Sequence, residues 1–155
     1  MDIMKSKLTL DRVAFLTKDY SRGFIADLGL EAFQFERGFL ESRLVIQPRH
    51  RQQDHYIHAG VLAAMGDHTA GYAAFTLVSE EYRILTIEFK INFLAPAYGQ
   101  TLVCRSHILR EGKQILVGES EIFDQRRDGA PLVAKAMVTL MAVHQNKIKK
   151  VPEAV

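Results

Sequence analysis

One cysteine in 155 residues, Cys104, cannot close an internal disulfide, and it has no spaced Cys/His companions of the kind a zinc site needs. Long apolar runs are also missing. The N-terminal MDIMKSKLTLDRVAF carries acidic residues and no stretch of signal-peptide length, and Lys135 interrupts the most hydrophobic segment, LVAKAMVTLMAV, far short of a membrane span. The expectation is a cytoplasmic protein with no membrane partner. Charge of one sign is in short supply too: 20 Lys and Arg against 18 Asp and Glu leave a formal +2, too little for a dedicated nucleic-acid binder. A small anion is the expected partner rather than a polymer. There is no internal repeat and no low-complexity linker, and 155 residues with 48% hydrophobic content suit one domain, 1–155, with a real core.

Hydrophobic periodicity orders the elements. About residues 11–28 carry apolar positions at helical spacing and stop at Gly29, which predicts an N-terminal helix. In residues 38–47, Leu40, Leu44 and Ile46 share one parity, so a first strand is expected to end before Pro48. PRHRQQDHY then reads as a polar loop leading into a long central helix. Beyond it, Leu85, Ile87, Phe89, Ile91 and Phe93 alternate with Thr86, Glu88, Lys90 and Asn92, the clearest strand pattern in the chain. Pro96 and Gly99 break it, a strand resumes over about 101–110, Glu111-Gly112-Lys113 turns, residues 114–123 return, and Asp128-Gly129 precedes a last strand over 132–143. Helix, strand, long helix and four strands linked by tight turns predict an α+β architecture: a mainly antiparallel sheet with one helix on its face, a core over about 38–143 and a polar tail over 144–155.

The central helix opens at His58-Ala59-Gly60. At helical spacing Gly60, Ala64, Asp67, Gly71 and Ala74 fall on one side, so a row of small residues is interrupted by one acid. Val61, Met65, His68, Tyr72 and Phe75 form a neighbouring bulky face, expected to bury against the sheet. His55 and His58 with Asp67 and His68 make a poor metal set, because the histidine spacing lies in a loop and Asp67 and His68 point about 100° apart on a helix. No metal is expected.

With the helix placed between the first strand and a four-strand meander, HAGVLAAMGDHTAGYAA resembles the HGG-x6-D signature of the hotdog-fold thioesterases, nearest to the 4-hydroxybenzoyl-CoA and phenylacetate-pathway (PaaI-like) branch. ILTIEFKINFLAPAYGQTL resembles a strand, its closing Pro-Ala and the start of the next strand in the same proteins. The resemblance implies a hotdog fold, an antiparallel sheet wrapped around one long helix, and hydrolysis of an acyl-CoA thioester in a homodimer, or a dimer of dimers, whose sites are shared between protomers. Coenzyme A would be part of the substrate, with no separate cofactor. By position, Ala59 gives its N–H to the thioester oxygen with Gly60 beside it, and Asp67 is the nucleophile or general base. Gln52 helps place the water, and Thr86 supplies a hydroxyl. The sequence has Ala59 where the family signature has its first glycine, Gln52 where asparagine is common and Thr86 where serine is common. His58 is expected to orient the loop through hydrogen bonds.

Hydrolysis of a thioester puts negative charge on the carbonyl oxygen, and unpaired N–H groups at a helix start meet that charge where it develops. Ala59 and Asp67 are eight residues apart, hence about 12 Å along a helix, so one helix cannot bring both to one carbonyl. If both act on one substrate, the acid comes from a second copy related by a twofold axis. The phosphates of coenzyme A call for basic groups at the pocket mouth: Arg110 and Lys113 beside the Glu111-Gly112 turn, with Arg49, Arg51, Arg126 and Arg127 as further candidates. The alternative reading is a non-catalytic acyl-CoA-binding module, which would have no need of Asp67 on the small face.

Overall fold

The computed structural model describes residues 7–151; the start of the N-terminal stretch and the end of the tail, 152–155, lie outside the described residues. The N-terminal segment is two helices rather than one. α1 (Leu10–Tyr20) is capped by the Thr9 hydroxyl, which accepts the Arg12 N–H at 3.2 Å, and α2 (Phe24–Leu28) follows after a break at Ser21 to Gly23. Gly23 has φ 53°, a conformation no continuous helix permits. α2 does end at Gly29, left-handed at φ 80°, as the sequence predicts.

A strand that the pattern does not announce comes next. β1 (Leu30–Glu36) pairs antiparallel with β2 (Phe39–Val45) across an Arg37-Gly38 turn. It is an edge strand in which Leu30 alone is fully buried, so it lacks the strict alternation that gives a strand away. A 3-10 turn (Pro48–His50) and a loop lead to α3 (Ala59–Phe75), followed by β3 (Tyr82–Phe93), β4 (Thr101–Glu111), β5 (Ile115–Gln125) and β6 (Leu132–His144). Strand order is β1-β2-β4-β5-β6-β3, antiparallel throughout.

The four-strand meander is therefore corrected. Only β4, β5 and β6 form one; β3 lies beyond β6 at the free edge, and residues 94–100 carry the chain back across the sheet to β4, which pairs with β2. The alternation in β3 is corrected as well. A register shift between Thr86 and Glu88 makes Ile87 an extra residue, so Ile84 and Thr86 lie opposite Ala142 and Leu140 while Phe89, Ile91 and Phe93 lie opposite Val138, Ala136 and Ala134. All five face the helix side of the sheet, and Leu85 faces away.

The sheet wraps α3. Leu40, Ser42 and Leu44 of β2, Leu102, Cys104 and Ser106 of β4, Ser120 and Ile122 of β5 and Ala134, Ala136, Val138 and Leu140 of β6 supply its buried inner surface. α3 comes closest at Gly66, where an added Cβ would lie 3.7 Å from both Ser120 and Ile122. Each buried hydroxyl there has a partner: Ser120 donates to the Gly66 carbonyl at 2.7 Å and pairs with Ser106 at 2.6 Å, and Ser42 pairs with Thr69 at 2.8 Å. The bulky face of α3 is divided. Val61, Met65 and Phe75 are buried as expected, but His68 and Tyr72 turn to α1, stacking on Tyr20 at 4.5 and 5.1 Å between ring centroids. Small residues, Gly66, Ala70 and Ala73, occupy the side toward the sheet instead, because a wrapped sheet leaves no room for rings beneath the helix. Ala74, placed by spacing on the small row that carries Asp67, is buried in the core as well. Among the described residues, no helix is long and apolar enough to cross a membrane.

Candidate active site

The loop before α3 is held from several sides. Arg51 pairs with Ile57 as an isolated bridge, Gln52 donates its backbone N–H to Tyr56 at 2.8 Å, and the Gln52 side-chain oxygen accepts the Asp54 N–H at 2.6 Å. His55, at φ 69°, makes the tight reversal. The Arg51 guanidinium donates to the carbonyls of His55, Tyr98 and Gly99 at 2.9 to 3.2 Å, and Ile57 donates to Ala97 at 2.7 Å, so the loop is fastened to the β3–β4 connection. His58 then caps the helix: its Nδ1 accepts the Gly60 N–H at 2.8 Å, which puts the ring proton of the neutral imidazole on Nε2. A Cβ on Gly60 would stand 3.0 Å from that Nδ1, so glycine leaves the cap its space.

Capping consumes one of the first N–H groups and leaves another. The Gly60 N–H is taken by His58, whereas the Ala59 N–H donates to no group among the described residues. Ala59 borders an apolar cleft of about 350 Å³ lined by Tyr56, Ile57, Leu62, Phe93 and Leu94. A first-turn N–H at the positive end of a 17-residue helix, facing a largely apolar cavity, suits a carbonyl oxygen that gains charge.

Two turns along, Thr86 of β3 donates its hydroxyl to Oδ1 of Asp67 at 2.8 Å. The β3 register shift makes this possible by setting Thr86 on the helix side. Asp67 borders a second cleft, of about 280 Å³, shared with Gly71, Tyr72 and Phe75 of α3, Arg83 and Ile84 of β3 and Asp19 of α1. His68 lies in its wall with Nε2 2.9 Å from the Tyr20 carbonyl, to which it donates; burial holds its pKa below the ordinary histidine value, so the ring is neutral and structural. Tyr72 donates to Asp19 Oδ2 at 2.8 Å, and burial, with that hydrogen bond and the Asp19 charge, pushes its phenol well above the usual range.

The chain therefore gathers its candidates at two places. Ala59, Gly60, His58 and Gln52 belong to the start of α3; Asp67 and Thr86 belong to its middle, about 12 Å further along the axis. Arg110 and Lys113 belong to neither: Arg110 is about 30 Å along β4 from the end that meets the loop before α3. On the near end, Arg126 is committed to Asp124, the Tyr98 hydroxyl and the Pro96 carbonyl, and Arg51 to its loop, while Arg127 is exposed in a cleft with Tyr98 and Gln100. Among the described residues, no group of three His, Cys, Asp or Glu could hold a metal ion. Asp19, which walls the Asp67 cleft beside Tyr72, is a residue the sequence does not point to, since no local spacing joins residue 19 to residue 72.

Comparison with known proteins bears on the family and the fold. The family model described as the thioesterase superfamily matches residues 54–130, the span from the loop before α3 through β5. The crystal structure of a thioesterase family protein from Silicibacter pomeroyi superposes with a TM-score of 0.80 at 31% sequence identity, covering 84% of this chain and 98% of that one. The medium/long-chain acyl-CoA thioesterase YigI of Escherichia coli is 24% identical over 156 residues, 89% of this chain and 99% of that protein. The Escherichia coli PaaI protein from the phenylacetic acid degradation operon shares the fold, with a TM-score of 0.74 at 21% identity over 87% of this chain and 96% of its own. With a sheet wrapped around one long helix and a relative of this identity matched along nearly its whole length, the chain belongs to the thioesterase superfamily and has the hotdog fold.

Proposed function

We propose that the protein hydrolyses an acyl-CoA thioester as a homodimer, each site taking the Ala59 N–H from one protomer and Asp67 from the other. The observation that carries this reading is the placement of the two clefts along β3. The N-terminal half of that strand, at Arg83, Ile84 and Thr86, lines the Asp67 cleft; its C-terminal end, at Phe93, lines the Ala59 cleft. β3 is a sheet edge bonded on one side only, and it exposes Leu85 at 46%, Ile87 at 55% and Phe93 at 50%. Antiparallel pairing of two such edges sets the C-terminal end of each beside the N-terminal half of the other. The Ala59 cleft of one protomer then joins the Asp67 cleft of its partner, which removes the 12 Å obstacle within a single helix.

In that composite site the substrate carbonyl oxygen accepts the Ala59 N–H, and the helix dipole favours the charge it gains. The Asp67 carboxylate acts in one of two ways. As nucleophile it bonds to the carbonyl carbon and expels the coenzyme A thiolate, and water then cleaves the mixed anhydride to free acid and carboxylate. As general base it takes a proton from water, whose oxygen adds to the carbon before the thiolate leaves. Thr86, bonded to Oδ1, keeps the carboxylate oriented with Oδ2 toward the substrate. Gln52 still has its amide N–H pair for a water, its oxygen being engaged by Asp54. For the phosphates, Arg127 lies at the same end as Ala59, and Arg110 and Lys113 are candidates for the outer reach of the ligand, where charge reversal of each measures its share of KM.

The test is thiol release from a panel of acyl-CoAs by wild type and Asp67→Asn. Buried Cys104, its thiol pKa pushed up to about 11 by burial, adds little background to a thiol reagent. Turnover lost by roughly a hundredfold in a variant that keeps its oligomeric state supports hydrolysis through Asp67. A well-folded wild type that binds acyl-CoA and releases no thiol supports the non-catalytic binding module instead.

A further inference from the structure

Two buried hydroxyl chains end on the backbone of α3 immediately before Asp67. In the first, the Thr69 hydroxyl gives its one proton to the Met65 carbonyl at 2.6 Å, so its oxygen accepts from both Ser42 at 2.8 Å and Tyr20 at 3.2 Å. In the second, Ser120 gives its proton to the Gly66 carbonyl at 2.7 Å. That leaves Ser106 to donate to Ser120 at 2.6 Å, and the Cys104 thiol, 3.7 Å away, to donate to Ser106. The direction of every bond is therefore fixed. Both chains run toward α3, one from α1 and β2, the other from β4 and β5, and they meet consecutive carbonyls that also accept helical N–H groups. Tyr20, Ser42, Thr69, Cys104, Ser106 and Ser120 all have 0% exposure, inside one protomer.

Filling this core does not require hydroxyls. Alanine and valine have the size for these places, and each buried hydroxyl carries a desolvation cost that only its hydrogen bonds offset. What apolar residues would not supply is register. Beside Asp67 the side of α3 toward the sheet is Gly66, Ala70 and Ala73, which allow close approach but present no ridge for the sheet to lock. Met65, the large buried neighbour, is flexible and adapts its packing. Such a face can slide or roll at small cost, whereas hydrogen bonds are directional. Asp67 itself is held from a further direction by Thr86 at 2.8 Å. The side chain of the acid is thus fixed by β3, and the peptide units that precede it by β5 and β2.

We infer that Ser120 and Thr69 are positioning residues for Asp67: their bonds to the Gly66 and Met65 carbonyls set the axial position and roll of α3, and with them the place of the carboxylate. The inference rests on the proposed thioester hydrolysis through Asp67. Neither hydroxyl touches substrate. Their loss lowers kcat and leaves KM unchanged, since a misplacement of about 1 Å in the acid slows the chemistry by up to roughly a hundredfold without altering what holds the ligand.

The experiment measures kcat, KM and the urea midpoint, with the best substrate of the acyl-CoA panel, for wild type, Ser120→Ala, the double variant Ser106→Ala with Ser120→Ala, Thr69→Val and Thr69→Ser. Ser120→Ala leaves the Ser106 donor facing a methyl group and is expected to lower both kcat and the midpoint. The double variant removes both members of that pair, so its midpoint returns toward wild type. Its kcat stays reduced by roughly tenfold or more, with KM within about twofold, because the Gly66 carbonyl still lacks its donor. Thr69→Val loses kcat in the same way, and Thr69→Ser, which keeps the hydroxyl, recovers it. Added to Asp67→Asn, the double change lowers the residual rate no further. A double variant at wild-type kcat, or equal losses in Thr69→Val and Thr69→Ser, assigns the hydroxyls to packing and overturns the positioning role while the hydrolysis stands. A further loss in the Asp67→Asn background overturns it too, because the effect then bypasses the acid. A wild type inert toward every acyl-CoA overturns the hydrolysis itself and the positioning role with it.

Discussion

The Thr86 hydroxyl and Oδ1 of Asp67, 2.8 Å apart, join the edge strand of the sheet to the middle of its central helix. The bond depends on a one-residue register shift, since without it the parity of β3 would set Thr86 on the same face as Lys90 and Asn92, away from α3. A hydrogen bond to a carboxylate is worth about 1.5 to 3 kcal/mol, so Thr86→Val is expected to lower kcat by roughly tenfold to a hundredfold. Thr86→Ser keeps the hydroxyl and should stay near wild type. Steady-state kinetics on one acyl-CoA distinguishes the two, and equal loss in both variants would assign Thr86 to packing alone.

Ala59 offers a substitution that removes one N–H and little else. It is the first residue of α3, where proline is well tolerated, and His58 before it is already extended at φ −62° and ψ 136°, the conformation proline requires of its predecessor. Ala59→Pro should therefore fold with a melting temperature close to wild type. If the Ala59 N–H holds the oxyanion, the variant loses on the order of a hundredfold to a thousandfold in kcat. Full activity in a folded Ala59→Pro protein would move the oxyanion contact elsewhere.

The boundary between what the sequence tells and what it withholds follows contact distance. β4, β5 and β6 were legible because each alternates over a long stretch and is closed by a Gly or Asp-Gly turn. The start of α3 and the Asp67 position were legible because a helix cap and a motif are local. β1 was hidden by its exposed edge position, and the turn of His68 and Tyr72 toward α1 was hidden because the partner, Tyr20, is about fifty residues away in the chain. The Ile87 bulge was hidden for a different reason: an unbroken alternation of apolar and polar residues carries no mark of the one residue the ladder skips.

His68 gives the protein a pH dependence of known sign. Burial lowers its folded pKa below the unfolded value, which is about 6.5 for a free histidine. Above that value both states are neutral and the group contributes nothing. As pH falls below it, the unfolded chain takes up a proton that the folded chain refuses, so stability declines toward the folded pKa and levels off beneath it. Buried His50, lowered mainly by desolvation and also by Arg49 and Arg51, acts in the same direction. Urea midpoints measured from pH 7 to pH 5 should fall for wild type. His68→Gln, unable to titrate, should fall by less, even if it starts from a lower midpoint because it loses the stacking on Tyr20. An identical slope in the two proteins would show that His68 is free to protonate in the folded state.

Sharing of each site between protomers can be tested by mixing two inactive proteins. Asp67→Asn lacks the acid in both sites of its dimer, and Ala59→Pro lacks the oxyanion donor in both. After subunit exchange, half of the dimers are mixed, and each mixed dimer has one site with both defects and one with neither. Activity should return toward roughly a quarter of the wild-type value per site, following the kinetics of exchange and depending on protein concentration as a dimer does. Ile87→Asp, which places a charge on the exposed β3 edge, should shift the protein toward monomer and abolish both its own activity and its ability to complement. Sites confined to one protomer would behave differently: mixing would restore nothing, because Asp67→Asn and Ala59→Pro would each leave every site carrying its own defect.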